Sequence, residues 1–177
     1  MKTAATDIES VVREQARFVF KVAYSMLRNV EDAEDAVQET FLRVHRSGEL
    51  PNVREMKSWL ARIAFRVALD CIQRRPKGEL GELIEAGFQA RSGEAGAERH
   101  LLQQEQAAIL HRLIVTLPED LRHTLVLSTV EEMSSVEIGK VLGVPEATVR
   151  TRLFRARQML KEKLLVRMGV GDGTRRS

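Results

Sequence analysis

Residues 145–160 read PEATVRTRLFRARQML, and six Lys or Arg stand against one acid between positions 148 and 163. Wound into a helix at about a hundred degrees per residue, this stretch sorts its side chains sharply. Val149, Leu153, Ala156 and Leu160 form one apolar stripe. Arg150, Thr151, Phe154, Arg155 and Gln158 fall on the opposite face, with Arg152 and Arg157 at its edges. An arginine can grip a guanine edge through two parallel hydrogen bonds, and hydroxyl, amide and guanidinium groups all bind phosphate. The chemistry on offer is therefore recognition of DNA. A solvated basic helix is the plainer alternative, but the charge bias exceeds what solubility requires.

The preceding residues say how such a helix would be held. Ser134-Ser135-Val136-Glu137 has the spacing of a capping box. Val136, Ile138, Val141 and Leu142 would give the helix it starts an apolar side. Gly143 suits the left-handed residue that ends a helix, and Pro145 can open the next one. Helix, short glycine-containing turn, then a helix with a basic outer face is the pattern of a helix-turn-helix.

Composition sets the frame. A chain of 177 residues holds one or two small domains. Hydrophobic residues make up 44%, enough for packed cores, while aromatics are 5%. Leu, Val, Ala and Ile abound, and Gly and Pro are few and clustered, which points to an all-α protein. No apolar run is long enough for a membrane span, and MKTAATDIES lacks the apolar core of a secretory signal. Cys71 is the only cysteine, which excludes an internal disulfide and a cysteine zinc cluster; Leu69 and Ile72 beside it suggest packing. These features lead to the expectation of a cytoplasmic protein. Net charge is +3 over residues 10–76 (12 bases, 9 acids), −3 over 77–105 (3 and 6) and +3 over 106–167 (10 and 7). Two mildly basic blocks thus flank an acidic one.

The first block reads as four helices. Residues 8–28 carry Val11, Val12, Phe18, Val19, Val22, Ala23, Met26 and Leu27 near helical period, with Asn29 as the stop. Residues 31–47 place Ala33, Val37, Thr40, Phe41 and Val44 on one stripe before Gly48, and Pro51 begins a turn. Residues 55–74 form one helix, or two with a break near 65–67, and Pro76 closes the block. Residues 77–99 hold Gly78, Gly81, Gly87, Gly93 and Gly96 and read as a linker with a short helix at 80–86, or as a lid within one domain. The second block begins near Leu101. Ala108, Leu110, Leu113, Ile114 and Leu117 mark one helix, and Leu121, Leu125, Val126 and Val130 the next. HTLVLSTV could be a strand alone, but its helical neighbours argue for helix.

Taken together, the two blocks resemble a known family. Residues 117–160 resemble region 4 of bacterial sigma factors, EDAEDAVQETFLRVHR resembles region 2.2, and MKSWLARIAFRVALDCIQRR resembles regions 2.3 and 2.4. The order, the linker and the length are similar to the extracytoplasmic-function (ECF) group, which keeps domains 2 and 4 alone. The resemblance implies two small helical domains, at 8–76 and 105–167, joined by a linker at 77–104. It implies that Asp35, Gln38, Glu39 and Leu42 grip the β′ clamp helices of core RNA polymerase, with Phe41 shaping their helix, and that region 4 meets the β flap. Physically, those four share one helical face, with two carboxylates and an amide beside an apolar contact. It further implies that Trp59, Arg62, Arg66, Arg74 and Arg75 meet the minus-10 promoter element. Trp59 could stack on a base, although its spacing with Leu60 and Ile63 suits the core better. Many members have Asn at the position of Arg66. The reading face Arg150, Thr151, Phe154, Arg155, Arg157 and Gln158 would take the minus-35 element. Members more often have Ala at the position of Gly139, where Gly should cost about 1 kcal/mol. An anti-sigma factor, able to hold the chain at the membrane, is a further implied partner.

Other functions fare worse. A stand-alone helix-turn-helix repressor or activator explains only the second block. A mimic that merely sequesters an anti-sigma factor would have no need of an intact recognition helix. An enzyme finds no support: His45, His100, His111 and His123 are scattered, no glycine loop for phosphate is present, and no cofactor is expected. The tail after Arg167 reads as disordered.

Overall fold

A computed structural model describes residues 8–49, 55–75, 97–130, 133–167 and 169, with the backbone alone over 97–105. The described residues contain seven helices and no strand: α1 (Ile8–Leu27), α2 (Val30–Ser47), α3 (Met56–Arg74), α4 (Ala97–Val115), α5 (Glu119–Ser128), α6 (Ser135–Leu142) and α7 (Glu146–Arg167). The turn at Pro51, the short helix at 80–86 and the C-terminal tail lie outside the described residues.

The helix ends follow local chemistry, with some departures from expectation. Asn29 does not stop α1. That role falls to Arg28, left-handed at φ 54°, while the Asn29 carboxamide accepts from Asp32 N at 3.0 Å and starts α2. Gly48 ends α2 at φ 65°, as its position required. The first block has three described helices, since α3 runs unbroken. Phe65-Arg66-Val67 contains no helix breaker, and Phe65 and Val67 are both buried. Helix α4 begins at Ala97, inside the stretch expected as linker, where Ala, Glu, Leu and Gln are all strong helix formers. HTLVLSTV is helical through Ser128. Pro145 sits one position before α7, and its carbonyl accepts from Val149 N at 3.2 Å.

Helices α1, α2 and α3 pack on one another, and so do α5, α6 and α7. Ala23, Ala33, Ala36 and Ala68 let α1, α2 and α3 approach closely around Leu27 and Val67. The largest apolar cluster joins the two groups: Val19, Val22, Leu60 and Ala64 share it with Leu127, Ile138 and Val149. Two residues expected to face inward do not: Val136 is 45% exposed and Leu110 47%.

Gly139 fills the inward role on α6. A Cβ there would lie 2.6 Å from Val144 O, because the turn folds back so that Val144 N donates to Gly139 O at 2.9 Å. The glycine is required by this close approach, which outweighs its helix-propensity penalty. Gly139→Ala should therefore destabilise the chain by about 1–2 kcal/mol, the overlap exceeding the propensity gain of about 1 kcal/mol. Calorimetry would read this as a lower Tm; a higher Tm would show that the turn relaxes freely.

Candidate nucleic-acid and partner-binding faces

Helix α7 buries Val149, Leu153 and Ala156 and turns Arg150, Thr151, Phe154, Arg155, Arg157 and Gln158 to solvent. Phe154 is 64% exposed, which no packing role explains. Arg152 is committed elsewhere: its Nε lies 3.3 Å from Asp120 Oδ2 and pins α7 to α5. Arg150 Nη2 stands 3.6 Å from Glu146 Oε1, and the Thr151 hydroxyl donates to Ala147 O at 3.0 Å, leaving its lone pairs outward. The capping box of α6 is formed, with the Ser134 hydroxyl accepting from Glu137 N. Burial opposes the Glu137 charge, but Ser134 N, the Ser134 hydroxyl and Lys57 together hold its pKa below the usual carboxylate value.

On α3 the five expected minus-10 residues split into two sets. Arg62 and Arg66 are exposed one turn apart, and Trp59 is partly buried against the main core. Arg74 and Arg75 instead line a cleft of about 460 Å³ between α2 and α3, together with Asp35 and Glu39. Arg75 departs most from expectation. Its side chain is 12% exposed and ion-paired to Asp32, because the first turn of α2 ends against the last turn of α3. It is therefore not presented for phosphate.

On α2, Asp35, Gln38 and Leu42 are exposed, with Leu42 at 47%, and Glu39 is half-buried. Phe41 is buried and supports this face from within; it cannot itself touch a partner. Sequence reasoning passed over Arg43 and Asp70. Arg43 Nε meets Glu39 Oε1 at 2.8 Å while its Nη2 reaches Asp70 Oδ2 at 3.2 Å. The Glu39–Arg43 spacing of four was readable as a helical pair. The bridge to α3 was not, since it crosses 27 residues. All three side chains are about 40% exposed, so the network contributes under about 1 kcal/mol and chiefly fixes where Glu39 points.

Residues 11–77 match the Sigma-70 region 2 family and residues 107–160 match Sigma-70, region 4. The ECF RNA polymerase sigma-E factor of Haemophilus influenzae is 33% identical over 160 residues, covering 84% of each chain. The chain belongs to the ECF group of the sigma-70 family. SigW of Bacillus subtilis, another ECF sigma factor, is 28% identical to it over 91% of this chain and 89% of its own. SigE of Mycolicibacterium smegmatis is 35% identical over 156 residues, and this sigma factor spans 61% of that protein's length. Two solved structures share the fold: CnrH in complex with the cytosolic domain of CnrY (23% identity, TM-score 0.60, 89% of this chain and 86% of that one), and the sigma factor RpoE of Bartonella quintana in complex with the anti-sigma factor NepR (18%, TM-score 0.58, 89% and 96%). The matched regions of the sigma factor enclose all the side chains placed above. Among the described residues no helix is long and apolar enough to cross a membrane, and no cluster of His, Cys, Asp and Glu is arranged for a metal ion.

Proposed function

We propose that this protein is the promoter-specificity subunit of a bacterial RNA polymerase, acting in the cytoplasm. The observation that carries the reading is a built polar face on α7, within region 4, on a chain that also has region 2. The protein breaks no bond. Asp35, Gln38, Glu39 and Leu42 present carboxylates, an amide and an apolar contact to the β′ clamp helices of core polymerase. Arg62 and Arg66 hold the minus-10 DNA backbone. Arg150, Thr151, Phe154, Arg155, Arg157 and Gln158 read the minus-35 element, while region 4 meets the β flap. Each domain is small and its charge modest, so specificity comes from using both at once. An anti-sigma factor controls access to these faces; RpoE of Bartonella quintana, solved with NepR, supports that form of control. Such an inhibitor could hold the chain at the membrane.

The test is reconstitution. The protein, sigma-free core polymerase and fragmented genomic DNA from the source cell should give transcripts whose starts share two spaced upstream motifs. Tight operator binding without polymerase, and no core binding, would replace this reading with a repressor. Within the same assay, Arg155→Ala should cost about 1–3 kcal/mol of promoter affinity. Equal loss on a scrambled minus-35 sequence would show that Arg155 binds phosphate only.

A further inference from the structure

The two halves of the chain are closed on each other. Arg62 of α3 donates from Nε and Nη2 to the Lys140 carbonyl of α6, at 3.2 and 2.7 Å. Lys140 Nζ in turn reaches Glu55 Oε1 at 2.5 Å, and Lys57 Nζ lies 3.5 Å from Glu137 Oε1. Farther along, the Phe65 ring meets the His123 ring edge-on at 5.3 Å between centroids. Leu60, Ala61 and Ala64 share one apolar cluster with Leu127, Ile138 and Val141. The part of the helix-turn-helix that makes this contact is α6, its first helix. What α6 covers is the face of α3 that carries Arg62. The reading face of α7 and the acidic face of α2 stay exposed.

We propose that this is an autoinhibited closed state, in which the first helix of the chain's own helix-turn-helix occupies the minus-10 face of α3. In it Arg62 is spent on a helix carbonyl instead of a phosphate, and the carbonyl end of α6 is a fitting acceptor for a cation. The polymerase-binding face of α2 remains free, so the closed chain can dock first and open on the enzyme. The ionic contacts are partly exposed, with Lys140 at 38% and Glu55 at 58%, so each is weak and the closed state is shallow enough to open. A closed form outnumbering the open one about tenfold lowers apparent promoter affinity about tenfold. The functional consequence rests on the sigma reading above; the closure itself does not.

The experiment uses the full chain with Glu55→Cys, Lys140→Cys and Cys71→Ser, joined by a short bis-maleimide linker that contains a reducible disulfide. In dilute solution the linker should close within one chain in high yield. The linked protein should bind core polymerase yet form about tenfold fewer open complexes, and reduction should restore them. Failure to link within the chain, or linked protein as active as unlinked, overturns the proposal. Should the unlinked protein form no open complexes at all, the sigma reading fails instead. Closure then stands or falls on X-ray scattering, where Lys57→Glu with Lys140→Glu sets like charges against Glu137 and Glu55. An increased radius of gyration supports the closed state; an unchanged one overturns it.

Discussion

Leu60→Ala is expected to destabilise the protein by about 2–5 kcal/mol, a large share of the ~5–15 kcal/mol that holds an ordinary domain together. Leu60 has no exposed surface and lies in the cluster shared by both halves of the chain. Truncation removes buried methyl groups from contact and leaves a cavity. Collapse into that cavity is restricted, because Ala61 and Ala64 beside it are already small and fully buried. Promoter binding should fall with stability, since α3 carries Arg62 and Arg66. Leu60→Met conserves volume and should cost less than about 1.5 kcal/mol. Leu42→Ala is the contrasting variant: at 47% exposure it should change stability by under ~0.5 kcal/mol while weakening polymerase binding. Urea denaturation decides the matter, and a Leu60→Ala midpoint equal to that of the parent would show that the site is neither tightly packed nor shared.

Local signals made much of this architecture readable. The stripe Val149, Leu153 and Ala156, the Ser134 capping box and the glycines at 48 and 143 each depend on neighbours within a turn or two, and each is found as expected. What escaped the sequence depends on distant residues. Val136 is exposed, and Gly139 takes the inward place, because the approach of Val144 decides which side of α6 is crowded. Arg75 looks like any basic residue at a helix end until Asp32, 43 residues away, is seen beside it. Asn29 was legible as a helix boundary but serves the helix after it, a distinction that rests on its backbone angles. The contact between α3 and α6 left no trace in periodicity, since each helix could have satisfied its apolar side within its own half.

Acidification should weaken the same junction, and the responsible groups are histidines. His111 is pushed down to about 4 by burial first and by the Arg28 charge second. His123 is also lowered, by burial first, with Arg122 adding to the effect and Glu119 and Asp120 opposing it. Both line a cleft of about 230 Å³ formed by α1, α3, α4 and α5, with Ser25, Met26 and Gln73 across from them. An unfolded imidazole takes its proton near pH ~6.5, whereas the folded chain resists until lower pH. Between about pH 6.5 and the folded values, the unfolded chain therefore binds more protons. The stabilisation is complete above about pH 6.5 and is lost as pH falls through that window. Each histidine contributes at most about 1.4 kcal/mol per pH unit, reduced where water enters the cleft. The Glu137 carboxylate, whose pKa is lowered, acts with the same sign but only below its unfolded value near 4.5. Denaturation midpoints between pH 7 and 5 thus isolate the histidines. Stability should fall across that range, and His111→Gln should flatten the slope because glutamine takes no proton. A parent protein equally stable at both ends would mean that His111 and His123 are solvated in the folded chain, and that the cleft they line is open to water.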